Sequence, residues 1–286
     1  MGLLSRHWPR IAVTLIPLVF ALLHASGVLS IGVLQRLDDI IYDARLRATM
    51  PRTMDERIVI VDLDEKSLAE VGRWPWSRNK VPDLVNELFD RQQVALLGFD
   101  VVFAEPDESS GLKRLRQLAQ TELRQEAAFV EKLAQLQPAL DYDAQLAQAL
   151  RNRPVVLGYY FTGEDRDART SGVLPAPVMP KELLRGRPIR FVSWKGYGSN
   201  IAPLAAAAPV AGFFNPMTDG DGVVRSVPLL SEYEGEYYES LALAMYRTLA
   251  GSPQVEPGFA ADAARDYAGL DHVKLRLGDR VREVPV

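Results

Sequence analysis

The sequence of 286 residues contains no cysteine and only three histidines, His7, His24 and His272. The lack of cysteine excludes disulfide bonds, thiolate nucleophiles and metal sites with sulfur ligands. Two of the histidines lie near the N-terminus, so a zinc site or a histidine-based catalytic triad is not expected. The signature motifs of serine hydrolases, zinc peptidases, phosphate-binding loops and kinases are also missing. We therefore predict no catalytic residue, no cofactor and no metal in this chain.

The chain also lacks a basic stripe. It carries 33 lysines and arginines against 37 acidic residues, which gives a formal net charge of −4. Nucleic-acid binding depends on clustered positive charge that faces the phosphates, so no nucleic-acid partner is predicted. Because 48% of the residues are hydrophobic and 24% are charged, the composition is that of an ordinary globular protein.

A charge-free segment at residues 11–34 predicts a transmembrane helix. A helix of this length spans roughly 36 Å, which exceeds the hydrocarbon core of about 30 Å. Arg6 and Arg10 precede the segment, and Asp38 and Asp39 follow it. The positive-inside rule then places residues 1–10 in the cytoplasm and residues 35–286 on the far side of the inner membrane, with lipid as one partner.

A cleaved signal peptide is the alternative for the same segment. The small residues Ala25, Ser26 and Gly27 follow a short apolar run, as they do at signal-peptide cleavage sites. Both interpretations export the body of the chain, so its extracytoplasmic location does not depend on the choice.

An apolar face continues after the predicted span, formed by Leu34, Leu37, Ile41, Ala44 and Ala48 at spacings of three and four. This periodicity predicts a helix that is continuous with the membrane span and acts as a stiff connector. A short amphipathic helix that packs on the following domain is the alternative.

The body of the chain has the pattern of an α/β domain. Two apolar runs at 57–64 and 94–103, separated by an amphipathic segment at 77–91, predict a βαβ unit with parallel strands. We predict an open, mostly parallel mixed sheet with flanking helices and C-terminal hairpins. Its further parts are helices at 112–137, 142–151 and 241–250, a strand at 154–161, an irregular insertion at 163–190, and hairpins at 223–233 with 237–240 and at 273–277 with 281–286.

Three aspartates follow the predicted strands closely. Asp62 and Asp64 end the first strand, and Asp100 lies in the second. Ligands of open parallel sheets bind beyond the carboxyl ends of the strands, so these carboxylates are candidate ligand-binding residues. A membrane-anchored enzyme that holds a divalent ion there is a second hypothesis. The alternative is that the aspartates cap helices and pair with arginines.

Two further strings supply candidate ligand-binding residues. The first is GRWPWSR at 72–78, which contains Trp74, Trp76 and Arg78. These side chains form either the wall of a ligand site, with aromatic rings and a positive charge, or a structural corner of the fold. In DGDG at 219–222, Asp219 and Asp221 fail the calcium-loop pattern because Val223 stands where an oxygen ligand is needed, so a tight turn is favoured. Arg225 follows and completes the candidate set.

At these strings the sequence resembles the second class of CHASE domains, the cyclase- and histidine-kinase-associated sensory extracellular domains. The matching segments are LDDIIYDARLR at 37–47, RIVIVDLDEKSL at 57–68, GRWPWSR at 72–78, GFDVVFAEPD at 98–107 and DGDGVVRSVPL at 219–229. The resemblance implies an extracytoplasmic sensor held by an N-terminal membrane helix. In such proteins further membrane helices follow, and then a cytoplasmic output module such as an adenylate or guanylate cyclase or a kinase. The resemblance supplies no ligand and no catalytic residue.

We therefore expect a sensory receptor for an unidentified extracytoplasmic ligand. A homodimer is expected, because signalling through one helix needs a partner chain. Since no return helix and no output motif precede Val286, the sequence is expected to be a fragment of a longer protein. A module that binds another envelope protein is a third hypothesis.

Overall fold

The computed structural model describes residues 2–26, 28–29, 31–163, 168–260 and 269–286. The chain divides into two compact units, one formed by residues 1–62 and the other by residues 63–286. Among the described residues, no helix combines the length and the apolar character that crossing a membrane requires.

The N-terminal unit contains two helices, α1 (Gly2–Ala25) and α2 (Gly32–Thr49). The prediction of one continuous helix is therefore wrong, because the described residues 26, 28, 29 and 31 are not helical. The segment SGVLSIG at 26–32 explains the break, since glycine and serine have low helix propensity. The ring of His24 stabilises the turn by accepting a hydrogen bond from the backbone N–H of Ile31 at 3.1 Å.

The apolar run at 57–64 does not form the predicted strand. Residues 58–61 have no regular secondary structure, and their side chains are between 50% and 87% exposed. Each end of the run is held by a local hydrogen bond. Asp55 accepts from the side chain of Arg57 at 2.8 Å, and Asp64 caps the next helix. The predicted βαβ unit therefore lacks its first strand.

The helices of the second unit follow the amphipathic segments of the sequence. The predicted helix at 77–91 is present as a 3₁₀ turn (Arg78–Lys80), α4 (Val81–Asn86) and a π turn (Glu87–Arg91). The predicted helix at 112–137 is two helices, and Pro138 lies inside the second rather than ending it. The other helices are α3 (Glu65–Val71), α5 (Leu112–Gln120), α6 (Ala127–Leu140), α7 (Tyr142–Leu150), a 3₁₀ turn (Lys181–Leu184), α8 (Ala202–Ala207) and α9 (Leu241–Leu249).

Thirteen short strands are present in the described part of the second unit. They are β1 (Leu97–Gly98), β2 (Val155–Thr162), β3 (Thr170–Ser171), β4 (Val192–Trp194), β5 (Gly196–Gly198), β6 (Ala211–Phe213), β7 (Met217–Thr218), β8 (Val224–Ser226), β9 (Leu230–Tyr233), β10 (Glu236–Glu239), β11 (Gln254–Gly258), β12 (His272–Leu277) and β13 (Arg280–Pro285). Of the predicted strand at 94–103, only the two residues of β1 are in a sheet.

The strands form several small sheets instead of one open sheet. In the first, β2 is central: it is parallel to β1 and β6 and antiparallel to β5, and β3 pairs with β5. The second sheet has the order β10-β9-β4, and the third has the order β11-β12-β13. The mixed α/β class is confirmed, and so are the hairpins β9–β10 and β12–β13, whereas β8 pairs with β7.

Two apolar clusters form the core of the second unit. One surrounds β2 and contains Leu146, Leu157, Tyr159 and Phe213. The other contains buried residues of the second and third sheets, of α9 and of the 163–190 insertion, among them Met179, Leu184, Leu230, Leu243, Val255, Val273 and Leu275. The insertion is therefore partly core. At Gly212, a Cβ atom would lie 2.5 Å from the backbone of Leu241, so only glycine allows α9 to approach β6 this closely.

Candidate functional site

Arg78, the last residue of the GRWPWSR string, is the centre of a buried polar network. The residue is 9% exposed. Its guanidinium donates to the carboxylate of Asp143 on α7 and to the backbone carbonyl of Glu105. Its backbone N–H donates to Oδ2 of Asp107 at 2.6 Å. Both terminal nitrogens of the Arg78 side chain thus donate to protein partners, which is the arrangement of a structural anchor.

Asp107 closes the same network. Its backbone N–H donates to Oδ2 of Asp143 at 3.1 Å, and its own carboxylate accepts from the N–H of Ser109 at 2.8 Å. Burial by itself acts to raise the pKa of Asp107, but hydrogen bonds from Arg78 and Ser109 outweigh it and hold the pKa below its ordinary value. Asp107 is therefore ionised and paired.

The network continues to the central strand through an aromatic contact. The guanidinium of Arg78 lies 5.2 Å from the centre of the Phe103 ring. The backbone N–H of Phe103 donates to Oδ1 of Asn200 at 2.9 Å, and Nδ2 of Asn200 donates to the carbonyl of Gly158 in β2 at 2.9 Å. Sequence reasoning missed Asp143 and Asn200, because neither stands in a motif and each reaches its partner from far along the chain.

The two tryptophans of GRWPWSR pack against each other. Their ring centroids are 5.7 Å apart with an interplanar angle of 71°, and Pro75 between them has a cis peptide bond. Nε1 of Trp76 donates to the carbonyl of Gly72 at 2.6 Å. Trp74 and Trp76 thus belong to a folded corner immediately before the helix that contains Arg78.

Asp219 and Asp221 lie in the tight turn that the sequence predicts, and both pair with Arg225, a contact that the sequence analysis did not predict. Nη1 of Arg225 donates to Asp219 at 2.9 Å, and Nη2 donates to Asp221 at 2.7 Å. The hydrogen bonds from Arg225 and from the N–H of Val223 lower the pKa of Asp221 to about 2. The two carboxylates neutralise the arginine at the base of the β7–β8 hairpin.

The three aspartates of the predicted strand ends have separate environments. Asp64 accepts from the N–H of Ser67 at 2.8 Å and from its hydroxyl at 2.7 Å, which lowers the pKa of Asp64. Asp64 therefore caps helix α3, as the alternative interpretation of the strand-end aspartates predicts. Asp62 and Asp100 are exposed, and Asp62 belongs to the N-terminal unit. Within the described ranges, no three histidine or acidic side chains form a group that could hold a metal ion.

A buried ion pair that sequence reasoning missed joins β10 to α9. Glu239 is 4% exposed, and its Oε1 accepts from the guanidinium of Arg247. Nε of Arg247 donates to the carbonyl of Pro253 at 2.9 Å. Burial raises the pKa of Glu239, and the partner Arg247 only partly opposes this. In the described structure Oε2 of Glu239 and the hydroxyl of Tyr159 have no hydrogen-bond partner.

A small apolar cavity is lined from both three-stranded sheets. Its volume is about 180 Å³. The segment before β4, the start of β9 and the start of β12 supply its walls, with the apolar side chains of Ile189, Phe191, Leu229, Leu230 and Val273 and the single charged side chain of Arg190. Nothing in the local sequence identified it, because its walls come from three distant segments.

These features define a mixed α/β domain whose motif strings form corners, caps and turns. The family model of the CHASE2 domain matches residues 15–282, and the chain belongs to the CHASE2 family. CHASE2 domains are an extracellular sensory domain family of signalling proteins. The predicted family is therefore confirmed. Neither a curated protein nor a solved structure is matched significantly by this sequence.

Proposed function

We propose that this chain is the extracytoplasmic input domain of a membrane-anchored receptor that passes a stimulus to a cytoplasmic output module. The single observation that carries the proposal is the CHASE2 match, which extends over residues 15–282. The match includes part of the apolar segment at 11–34 as well as the second unit, so the anchor and the sensor are proposed as parts of one signalling chain.

The proposed membrane anchor rests on the charge pattern of the N-terminal region. Residues 11–34 contain no lysine, arginine, aspartate or glutamate. Two arginines precede the segment and two aspartates follow it, which favours a cytoplasmic N-terminus. Much of the segment lies in α1, the helical conformation that satisfies backbone hydrogen bonds within lipid.

The output and the oligomeric state extend the same proposal. The family resemblance favours a nucleotide cyclase or a kinase as the module that receives the signal. A homodimer is proposed because a signal that crosses the membrane through a helix requires a second helix against which the first can move. Two copies of the chain supply such a pair. A stimulus acts on such a receptor only through different affinities for two conformations of the input domain.

Topology reporters test the anchor and its orientation. Alkaline phosphatase, which is active only outside the cytoplasm, is fused after Val286, and green fluorescent protein, which fluoresces in the cytoplasm, is fused to the same position in a parallel chain. We expect phosphatase activity without fluorescence, and retention in the membrane fraction after an alkaline wash. The variant with both Arg6→Glu and Arg10→Glu should weaken this orientation, whereas Arg45→Glu with Arg47→Glu, two changes beyond the span, should leave it intact.

The outcomes separate the proposal from its alternatives. Fluorescence of the fusion after Val286 would place the domain in the cytoplasm and overturn the proposal. A soluble exported chain that has lost about 27 residues by mass would instead indicate a cleaved signal peptide. In that case the sensor would remain extracytoplasmic but would lack its anchor.

A further inference from the structure

One charged side chain, that of Arg190, lines the apolar cavity beside β4, β9 and β12. Arg190 lines the cavity, and within the described ranges it makes no hydrogen bond, ion pair or ring contact. By contrast, three other arginines of this unit are paired with carboxylates, Arg78 with Asp143, Arg225 with two aspartates and Arg247 with Glu239. An unpaired guanidinium at the edge of an apolar cavity is suited to an anion that has an apolar body.

The volume of the cavity limits the size of its occupant. A dry apolar cavity of about 150 Å³ is large enough to hold benzene. The present cavity, at about 180 Å³, therefore has room for one ring, or for a branched chain of similar size, together with a small polar group.

The walls of the cavity fit such an occupant. Phe191 presents an aromatic ring that is supported from behind by Tyr237, with 4.4 Å between the ring centroids. Leu230 and Val273 are buried residues of the second apolar cluster. No acidic side chain lines the cavity, and Arg190 is its only charged side chain.

We propose that this cavity binds a small monocarboxylate with an aromatic or branched apolar body, whose carboxylate pairs with Arg190. If the proposed sensory function holds, this compound class is the stimulus. Because the lining side chains come from both three-stranded sheets, a bound molecule contacts the two sheets at once and stabilises one arrangement of them. That differential contact is what a sensory domain needs in order to respond to a ligand.

Calorimetry on the purified full chain in mild detergent tests the proposal with three probes. Benzoate supplies both the ring and the charge, benzyl alcohol supplies the ring alone, and acetate supplies the charge alone. We expect saturable binding of benzoate that is at least about tenfold tighter than that of either other probe, because a charge-assisted hydrogen bond adds to apolar burial.

Variants then locate the site. Arg190→Gln should weaken benzoate at least about tenfold and leave benzyl alcohol unchanged. Arg280→Gln removes the same charge from an exposed position of the third sheet and should leave benzoate unchanged. Val286→Trp places a bulky ring at an exposed lining position and should abolish binding of both ring compounds. Methyl NMR should show shifts at Leu230 and Val273 when benzoate is added.

Three results would overturn the assignment. They are no saturable benzoate binding by a folded chain, equal benzoate affinity in Arg190→Gln and wild type, and methyl shifts confined to other residues. If Val286→Trp does not fold, Leu229→Trp is the second blocking variant. The topology reporters are read independently of these titrations. An exported, anchored chain that fails to bind benzoate would refute the ligand class and leave the receptor proposal standing.

Discussion

The guanidinium of Arg78 pairs with the carboxylate of Asp143, which lies 65 positions further along the chain, and the two side chains are only 10% and 15% exposed. Since Arg78 also donates to the carbonyl of Glu105, one side chain joins the GRWPWSR corner, the segment after β1 and helix α7. The most unusual string of the sequence is therefore used to hold three segments of the fold together.

Replacing Arg78 by methionine should destabilise the second unit strongly. The change leaves the carboxylate of Asp143, which is 15% exposed, without its cation, and removal of one partner of a buried pair costs about 3–5 kcal/mol. Urea unfolding followed by tryptophan fluorescence measures the loss. Arg73→Met, in the same string at an exposed position, is the matched control and should change stability by less than about 0.5 kcal/mol. Equal unfolding midpoints for the two variants would contradict the anchoring role.

Asn200→Ala should also be costly. Asn200 is 1% exposed, and it serves both the N–H of Phe103 and the carbonyl of Gly158. Without its amide these buried backbone groups lose their partners, at a cost of about 2–4 kcal/mol for the pair. Differential scanning calorimetry gives the change in melting temperature. The exposed Asn79→Ala is the control and should melt like wild type, and a wild-type melting temperature for Asn200→Ala would rule out the proposed bridge.

The turn at Asp221 should have a distinct acid titration. Its pKa is lowered to about 2, chiefly by the hydrogen bonds from Arg225. Because the folded value lies below the ordinary value of 3.8, the stabilisation is present above about pH 4 and is lost as the pH falls towards 2. Carboxyl carbon NMR of the folded protein measures the midpoint directly. Arg225→Gln should return the midpoint towards 3.8, whereas Arg280→Gln should not move it; a midpoint near 3.8 in wild type would refute the pairing.

Glu239 should give the opposite pH dependence. Burial raises its pKa above the ordinary value of 4.5, so the folded protein retains the proton more tightly than the unfolded chain. This contribution to stability is full below about pH 4.5 and is lost as the pH rises through the folded pKa. Glu239→Gln should flatten that part of the stability profile measured by urea unfolding. Glu236 lies on the same strand but is less buried, so Glu236→Gln should leave the dependence of stability on pH unchanged. If Glu239→Gln also left this dependence unchanged, Glu239 would be excluded as its source.

Local patterns in the sequence predicted those elements whose formation depends on near neighbours. Helix α9, strand β2 and the hairpin β12–β13 lie where periodicity and turn residues place them. The turn of Asp219, Asp221 and Arg225 belongs to the same class, since all its contacts span at most six residues. Within such short separations the residue types are enough to predict the turn, although the pairing of both aspartates with Arg225 was not predicted.

Pairings between distant segments were beyond the sequence patterns. The apolar run at 57–64 has the composition of a buried strand, yet pairing depends on a neighbour that composition does not specify. The same limit applies to Asp143 and Asn200, whose partners lie 65 and 97 positions away. The cavity near Arg190 is a further case, because it exists only where the second and third sheets are adjacent. Its apolar walls look in the sequence like ordinary core residues.

The exposed apolar run at residues 58–61 affects the solubility of the protein. Four consecutive β-branched apolar side chains stand in solvent on a backbone that forms no strand in the described structure, which is the composition of an aggregation-prone segment. The charged residues Arg57, Asp62 and Asp64 flank the run and act as gatekeepers against intermolecular stacking. Preparations at high concentration should therefore precipitate first when added salt screens these flanking charges, and soluble handling favours neutral buffers of low ionic strength.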